Sequence, residues 1–464
     1  MKKQLYLILA LVLFSVIACD DYVDITPRGN AIVTTLDEVN FLLNDAETIA
    51  SNSRTSDIPS LISDNIELVD SKIALASSDP TLRSIASIYN LEPVFYDANL
   101  QDQGWQKHYE IIGLANYILE TVETISTDDE ALKNQYAAEA KVHRAYHYFT
   151  LVNTYAPHFG LPEANVDGSG VPLLTVFSDD SVPINKSSVN DIYDFVLQDL
   201  EEAIPFLTET VESNDRASRA SALGLLAQVH FHMGNYTEAI TNANDALAIS
   251  AMLFDYNTDL VPAFFGGSFP PNLTDNTEVT LLKTGNVPSF RFTEAFADYS
   301  DELVALSDVD NDLRFSFNQF DESIGKYVLF TDFEYQLGVT TPKVLLIKAE
   351  SLARTGSAGE AMDIVNLLRS KRFKASFVTA GNHLLTAAND AEAIQHVIDE
   401  ARREFHVAGQ RFYDIKRLNA IENAGISLTR GGVTFAPNSI NWAVPIGQRE
   451  IDRSNGQITQ NPRE

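Results

Sequence analysis

The stretch from Arg219 to Ser250, RASALGLLAQVHFHMGNYTEAITNANDALAIS, constrains the fold more than any other part of the chain. Apolar residues recur there at helical spacing in two runs. The first is Leu223, Leu226 and Ala227, with His230 on the same face; the second is Ala239, Ile240, Ala243, Ala246 and Leu247. Gly234 lies between them and can enter the left-handed region that stops a helix. The small side chains of Ala227, Ala239, Ala243 and Ala246 let two antiparallel helices approach closely. Such a hairpin cannot bury its own apolar face, so further helices must stack on it.

Several other segments supply them. Thr35 to Leu43 begins with a capping pattern, Thr35 followed by Glu38, ahead of Leu36, Val39, Leu42 and Leu43. Trp105, Tyr109, Ile112, Ala115, Asn116 and Leu119 share a helical face, with Asn116 expected to be satisfied by its helix neighbours. Asn134 to Tyr155 reads as a long helix ended by Pro157 and Gly160. Val189 to Leu207 reads as its hairpin partner across a long loop, with Ile192, Phe195, Val196 and Leu200 inward and Asp199, Glu201 and Glu202 outward. Lys343 to Phe373 repeats the hairpin pattern around Gly356, and Ala391 to Leu418 holds one or two more helices. The pattern of the 219–250 and 343–373 segments resembles tetratricopeptide (TPR) hairpins, interrupted rather than tandem. Residues 51–104 and 254–340 differ. They are rich in Pro, Gly and aromatics, with a strand-like Glu278 to Lys283, and read as loops, short helices and short strands. Loops this long in a helical protein are usually functional.

The amino terminus bears on compartment. Met1-Lys2-Lys3 precedes an apolar run, Leu5 to Ile17, too short to span a bilayer comfortably. It ends in Val16-Ile17-Ala18-Cys19, and Cys19 is the only cysteine, so no internal disulfide is available. A lone thiol after a small residue at the end of such a leader resembles a bacterial lipobox. That resemblance implies removal of residues 1–18 and acylation of Cys19, each buried methylene contributing about 0.8 kcal/mol of membrane affinity. A formal net charge of −31 argues against nucleic acid and anionic membrane surfaces as partners.

Catalytic and metal-binding patterns fare poorly. His143 and His147 stand four apart on a helix but lack an HExxH context, and packing is the expected role. Asp308, Asp310 and Asp312 begin like a calcium loop, but Leu313 takes the glycine position and Gln319 the closing glutamate position. No Walker loop, dinucleotide fingerprint or nucleophile elbow is present. No cofactor is expected; calcium is the only ion the loops bring to mind.

Four ordered segments carry a wider resemblance: Cys19 with Asp24 to Gly29; Arg144-Ala145-Tyr146-His147-Tyr148-Phe149-Thr150-Leu151-Val152 followed by Val171-Pro172-Leu173; Asn311-Asp312-Leu313-Arg314 with Lys326-Tyr327; and Glu400 to Arg417 followed by Val444-Pro445-Ile446, Glu450-Ile451 and Gln460-Asn461-Pro462. Together they are similar to the SusD/RagB-like family of Bacteroidetes surface nutrient-binding lipoproteins. The resemblance implies a mostly α fold, with TPR-like hairpins packed against an irregular, loop-rich half carrying a few short strands. Residues 19–464 would form one SusD-like domain, with helices dominating 19–250 and the ligand-face loops and closing motifs in 251–464. It further implies a lipid-anchored protein at the outer-membrane surface that binds an oligomeric nutrient, without catalysis, and delivers it to a SusC-like TonB-dependent transporter. Glycan is the expected cargo; a peptide, as for a RagB-like receptor, is the alternative. A surface hydrolase and a protein-binding scaffold are more remote.

A sugar ring stacks its C–H face on aromatic planes and offers hydroxyls to Asn, Asp, Gln or Arg. The two tryptophans, Trp105 and Trp442, fall in core motifs. In the family the ligand face draws on loops from the early region and from beyond the central hairpin. The expected ligand-binding residues are therefore Asp64, Tyr89, Tyr96, Asn99, Phe265, Arg291 and Tyr299.

Overall fold

The computed structural model describes residues 33–50, 57–80, 82–177, 184–262, 268–269, 276–286, 289–291, 294–295, 298–315, 319–328, 334–406 and 409–464. Cys19 and the tether after it lie outside the described residues. In chain order, α1 (Leu36–Leu43) and α2 (Asp70–Ser78) lead to the long α3 (Gln103–Thr124) and α4 (Glu130–Tyr155). Then come α5 (Val189–Ala203), α6 (Arg219–Met233), α7 (Tyr236–Ile249) and the short α8 (Asp301–Leu306). After these come α9 (Thr341–Arg354), α10 (Ala358–Arg372), α11 (Asp390–Glu404) and α12 (Gln410–Glu422), and a short helix at Gln448–Arg453 follows near the carboxy terminus. Helix dominates and strands are two or three residues long, as the sequence predicts. No described helix is long and apolar enough to cross a membrane.

Local chemistry sets the helix ends. Glu38 and Thr35 form the expected capping box on α1. Ser218 caps α6, and Gly234 ends it in the left-handed region at φ 80°. Ala227, Ala239 and Ala243 are wholly buried, and α6 and α7 pack as an antiparallel pair. At Gly224 a β-carbon would stand 2.6 Å from Val339 Cγ1, so α6 touches the chain entering α9 through bare backbone.

Two expectations change here. Asp199 does not face solvent. It is buried against α4, where Arg144 donates Nε at 2.8 Å and Nη2 at 2.7 Å to its two carboxylate oxygens. The ion pair joins α4 to α5 because neither charge could be buried alone. Asn116 is satisfied by a loop rather than by its own helix. Its amide donates to the carbonyls of Leu174 (3.0 Å) and Val176 (3.1 Å), while its oxygen accepts from Arg144 Nη1 at 2.7 Å. This pins the loop after Val171 onto α3.

His143 and His147 are buried and pack, as expected, though in a charged setting. His147 Nδ1 lies 2.9 Å from His108 Nδ1, and His143 Nδ1 lies 3.0 Å from Lys283 Nζ. Lys283 also donates to the carbonyl of Ile49, so this knot ties the strand region to the helices. Burial, then the Lys283 charge, pushes His108 down to about 3, and burial brings Lys283 down to about 7.

Candidate functional site

A four-stranded sheet gathers the early and late loop regions. Its strands are β1 (Ile66–Glu67), β2 (Asp298–Tyr299), β3 (Gln319–Asp321) and β4 (Lys326–Val328), in the spatial order β1-β2-β4-β3. All neighbours are antiparallel. Ile66 pairs with Tyr299 and Phe320 with Tyr327, while Val328 opposite Asp298 sets the middle register. One face therefore carries the row Ile66, Tyr299, Tyr327, Phe320, and the other carries Glu67, Asp298, Lys326 and Asp321.

The expected residues distribute unevenly over this scaffold. Asp64 and Tyr299 come together: Ser300 Oγ donates to the Asp64 carbonyl at 2.7 Å beside the β1–β2 pairing. The Asp64 carboxylate is already occupied by the Arg411 fork, Nε and Nη2 both at 2.7 Å, with Arg402 Nη2 at 3.6 Å. Burial raises its pKa, but the bonds and charges of these arginines outweigh that and hold it below the usual carboxylate range. Tyr89 is buried. Its hydroxyl accepts from the Leu68 amide at 3.0 Å, and the Arg430 guanidinium covers its ring at 3.9 Å. Tyr96 is buried in the same core. Tyr299 has 0% exposure and is enclosed by Phe315 (5.5 Å) and His406 (5.3 Å). The three tyrosines are thus core side chains and present no open ring face.

Asn99 is exposed, but its carbonyl accepts from Arg449 at 3.3 Å, which ties it to the carboxy-terminal segment rather than to the Asp64 turn. Arg291 ends a short strand, Ser289–Arg291, paired with Glu294–Ala295; its side chain and all of Phe265 lie outside the described residues.

Sequence reasoning missed the rim itself. On the polar face Lys326 Nζ bonds Glu67 at 2.8 Å and Asp301 at 2.7 Å, and Lys72 Nζ bonds the wholly buried Asp298 at 2.6 Å. On the aromatic face exposure rises from the buried Ile66 and Tyr299 through the half-buried Tyr327 to Phe320, which is 52% exposed. Aromatic alternation around Phe315, Phe317 and Phe320 is visible in the sequence, but strands of three residues are too short for it to give the pairing of Phe320 with Tyr327.

The rim is held by arginines of α11 and α12. Arg402 donates to Asn65 Oδ1 (2.9 Å) and Glu302 (2.7 Å), and Arg403 to the Leu306 carbonyl (2.9 Å). Glu400 receives Arg314 at 2.8 Å, Arg369 at 3.1 Å and Arg403 at 2.7 Å. Arg372 bridges Glu278 and Glu404, both at 2.9 Å. Such a network positions loops firmly because each buried charge is costly without its partners. Its groups pair with one another, so the described residues offer a shaped, braced surface here.

Comparison with known proteins accords with this architecture. A family model described as starch-binding and associating with the outer membrane matches residues 21–231, and the SusD family model matches residues 343–463. Neither match extends over the stretch between them, which includes β2, β3 and β4. SusD-like protein P38 of Formosa agariphila is 27% identical over 409 residues, covering 72% of this chain and 75% of its own length. SusD-like protein P2 of the same organism is 23% identical over 424 residues, covering 77% and 79%. Among solved structures, a SusD superfamily protein from Bacteroides thetaiotaomicron superposes with a TM-score of 0.73 at 18% identity, covering 93% of this chain and 100% of its own. A laminarin-binding SusD-like protein does so with a TM-score of 0.61 at 20% identity, covering 93% and 100%. Helical architecture, ordered motifs at both ends of the chain and these relatives agree: the chain belongs to the SusD/RagB-like family of outer-membrane-associated, carbohydrate-binding proteins.

Proposed function

We infer that this protein is a surface lipoprotein, anchored through Cys19, that binds an oligomeric glycan without altering it and delivers it to a SusC-like TonB-dependent transporter. The observation that carries this reading is the family match at both ends of the chain, at residues 21–231 and 343–463. The relative of the same fold that binds laminarin, a glucan, supports glycan as the cargo class. The rim fits the role, since it is braced from below by buried ion pairs and carries a half-exposed ring at its edge.

A peptide cargo is the second reading. It draws on one observation: both tryptophans, Trp105 and Trp442, are buried and unavailable for stacking on sugars. Calorimetric titration of the purified mature chain against soluble polysaccharides and against a peptide library decides between them. Saturable heat with a polysaccharide and none with peptides is the expected result; the reverse pattern overturns the glycan reading.

A further inference from the structure

We propose that Phe320, backed by Tyr327, is a stacking platform for one sugar ring of an uncharged glycan. The proposal deepens the glycan-binding reading above and rests on it. Its starting point is the hairpin of β3 and β4, in which Phe320 and Tyr327 are cross-strand partners. Their ring centroids are 5.1 Å apart at 64°. Tyr327 stands edge-on to Phe315 at 6.4 Å, and Phe315 packs on Tyr299 at 5.5 Å. A column of rings thus runs from the core to the surface, and Phe320 is its open end.

That support separates Phe320 from the other exposed phenylalanines. Phe41 and Phe206 have no ring contact among the described residues, and an isolated exposed apolar side chain needs no explanation. Phe177 pairs with Tyr117 at 5.0 Å, but Tyr117 has no further ring behind it among the described residues. A braced ring loses little freedom when a ligand settles on it, which is where affinity is gained. β3 is also the end strand of its sheet, so among the described residues the backbone groups on its outer side have no strand partner.

Charge selects the ligand class. Among the described residues carboxylates outnumber cations at the hairpin: Lys326 is shared by Glu67 and Asp301, Lys72 is taken by Asp298, and Asp321 and the exposed Glu322 add negative charge on the hairpin itself. Carboxylates accept hydroxyl protons well and repel uronates and sulfate esters. The ligand that suits this rim is a neutral hexose chain with an apolar C–H face.

The test is affinity electrophoresis and calorimetry of the mature protein and three variants, Phe320→Ala, Phe320→Trp and Phe177→Ala. Neutral polysaccharides (starch, laminarin, xyloglucan, galactomannan) are set against anionic ones (alginate, carrageenan, pectate). Retention by a neutral polysaccharide is expected, weakened tenfold or more in Phe320→Ala, equivalent to about 1.4 kcal/mol. It is expected to persist in Phe320→Trp and in Phe177→Ala. Neutral-glycan binding that Phe320→Ala leaves intact overturns the platform while sparing the glycan reading. Binding confined to anionic polysaccharides overturns the ligand class. Retention by none of these glycans removes the glycan reading and this proposal together. An unchanged melting temperature in Phe320→Ala separates lost contact from lost fold.

Discussion

Glu400 has no exposed surface, yet three guanidinium groups converge on it from Arg314, Arg369 and Arg403. Burial alone would raise its pKa; the three positive charges outweigh burial and keep it ionised. Glu400→Gln removes the charge and leaves three cations competing for fewer acceptors. The expected loss is about 3–5 kcal/mol of unfolding free energy, read from urea titration. A loss under about 1 kcal/mol would mean that the network is dispensable. The segment from Glu400 to Arg417 shows the limit of single-residue reading. Its charges look like a solvated surface in sequence, but Arg402, Arg403, Arg411, Lys416 and Arg417 are all buried. Several pairing partners lie far away along the chain, Asp64 with Arg411 at a separation of 347 residues, and a local pair such as Glu400 with Arg403 looks in sequence like any exposed helix pair. The same distance effect explains the tyrosines. Tyr89 and Tyr299 sit in loop-like sequence and were open to a ligand role, but Arg430 and His406 cover them.

At the level of elements, the helices were legible because each carries many turns of periodic pattern. α6 and α7 fall where apolar spacing and Gly234 put them. The sheet was not legible, because β1 and β2 are two residues each and their register depends on tertiary pairing. Close packing makes Gly224→Ala informative. The added methyl meets Val339, and a cost of about 1–3 kcal/mol is expected by thermal denaturation. The His108–His147–His143–Lys283 knot gives a pH dependence. All three histidines are held below their ordinary value, by burial first and by Lys283 second, so the unfolded chain binds more protons as pH falls below about 6.5. The histidines' contribution is full above that pH and declines below it, and His108 alone loses about 2 kcal/mol between pH 6.5 and 5. Asp102, pushed up to about 6 by burial, works in the opposite direction over part of this range, as do Glu139, Asp199, Glu278, Asp298 and Asp414, whose pKa values burial also raises, while the buried His158 and His232 add to the histidine side. A melting temperature that falls from pH 7 to pH 5, with a shallower fall in His147→Gln, is the expected outcome. A flat profile would contradict the neutral-histidine reading.

For the molecule as a whole, the proposed anchor and the proposed absence of chemistry each have a direct check. Cys19→Ala should release the protein from the membrane fraction, and globomycin should leave the leader uncleaved. Persistent membrane attachment of the variant would refute the anchor. Incubation of the pure protein with each polysaccharide that it retains should yield no new reducing ends; steady release of oligosaccharide would turn the binding reading into a hydrolytic one. Of the four separated motifs from which the family could be read, the three that fall in the described residues each sit at a packing junction. Arg144 joins α4 to α5, Arg314 and Glu400 join α11 to the strand region, and Asn461 donates to the carbonyls of Tyr155 (2.6 Å) and Val444 (2.7 Å).

Those junctions also fix an order of events during biogenesis. Asp64 waits for Arg411, and Lys186 waits for Asn461, whose oxygen it meets at 2.6 Å. A chain made amino terminus first therefore presents its early half before the partners that lock it exist. Only when the last residues emerge does the early half set. A chain cut after residue 400 should remain open to trypsin throughout residues 57–124, where the full-length protein resists.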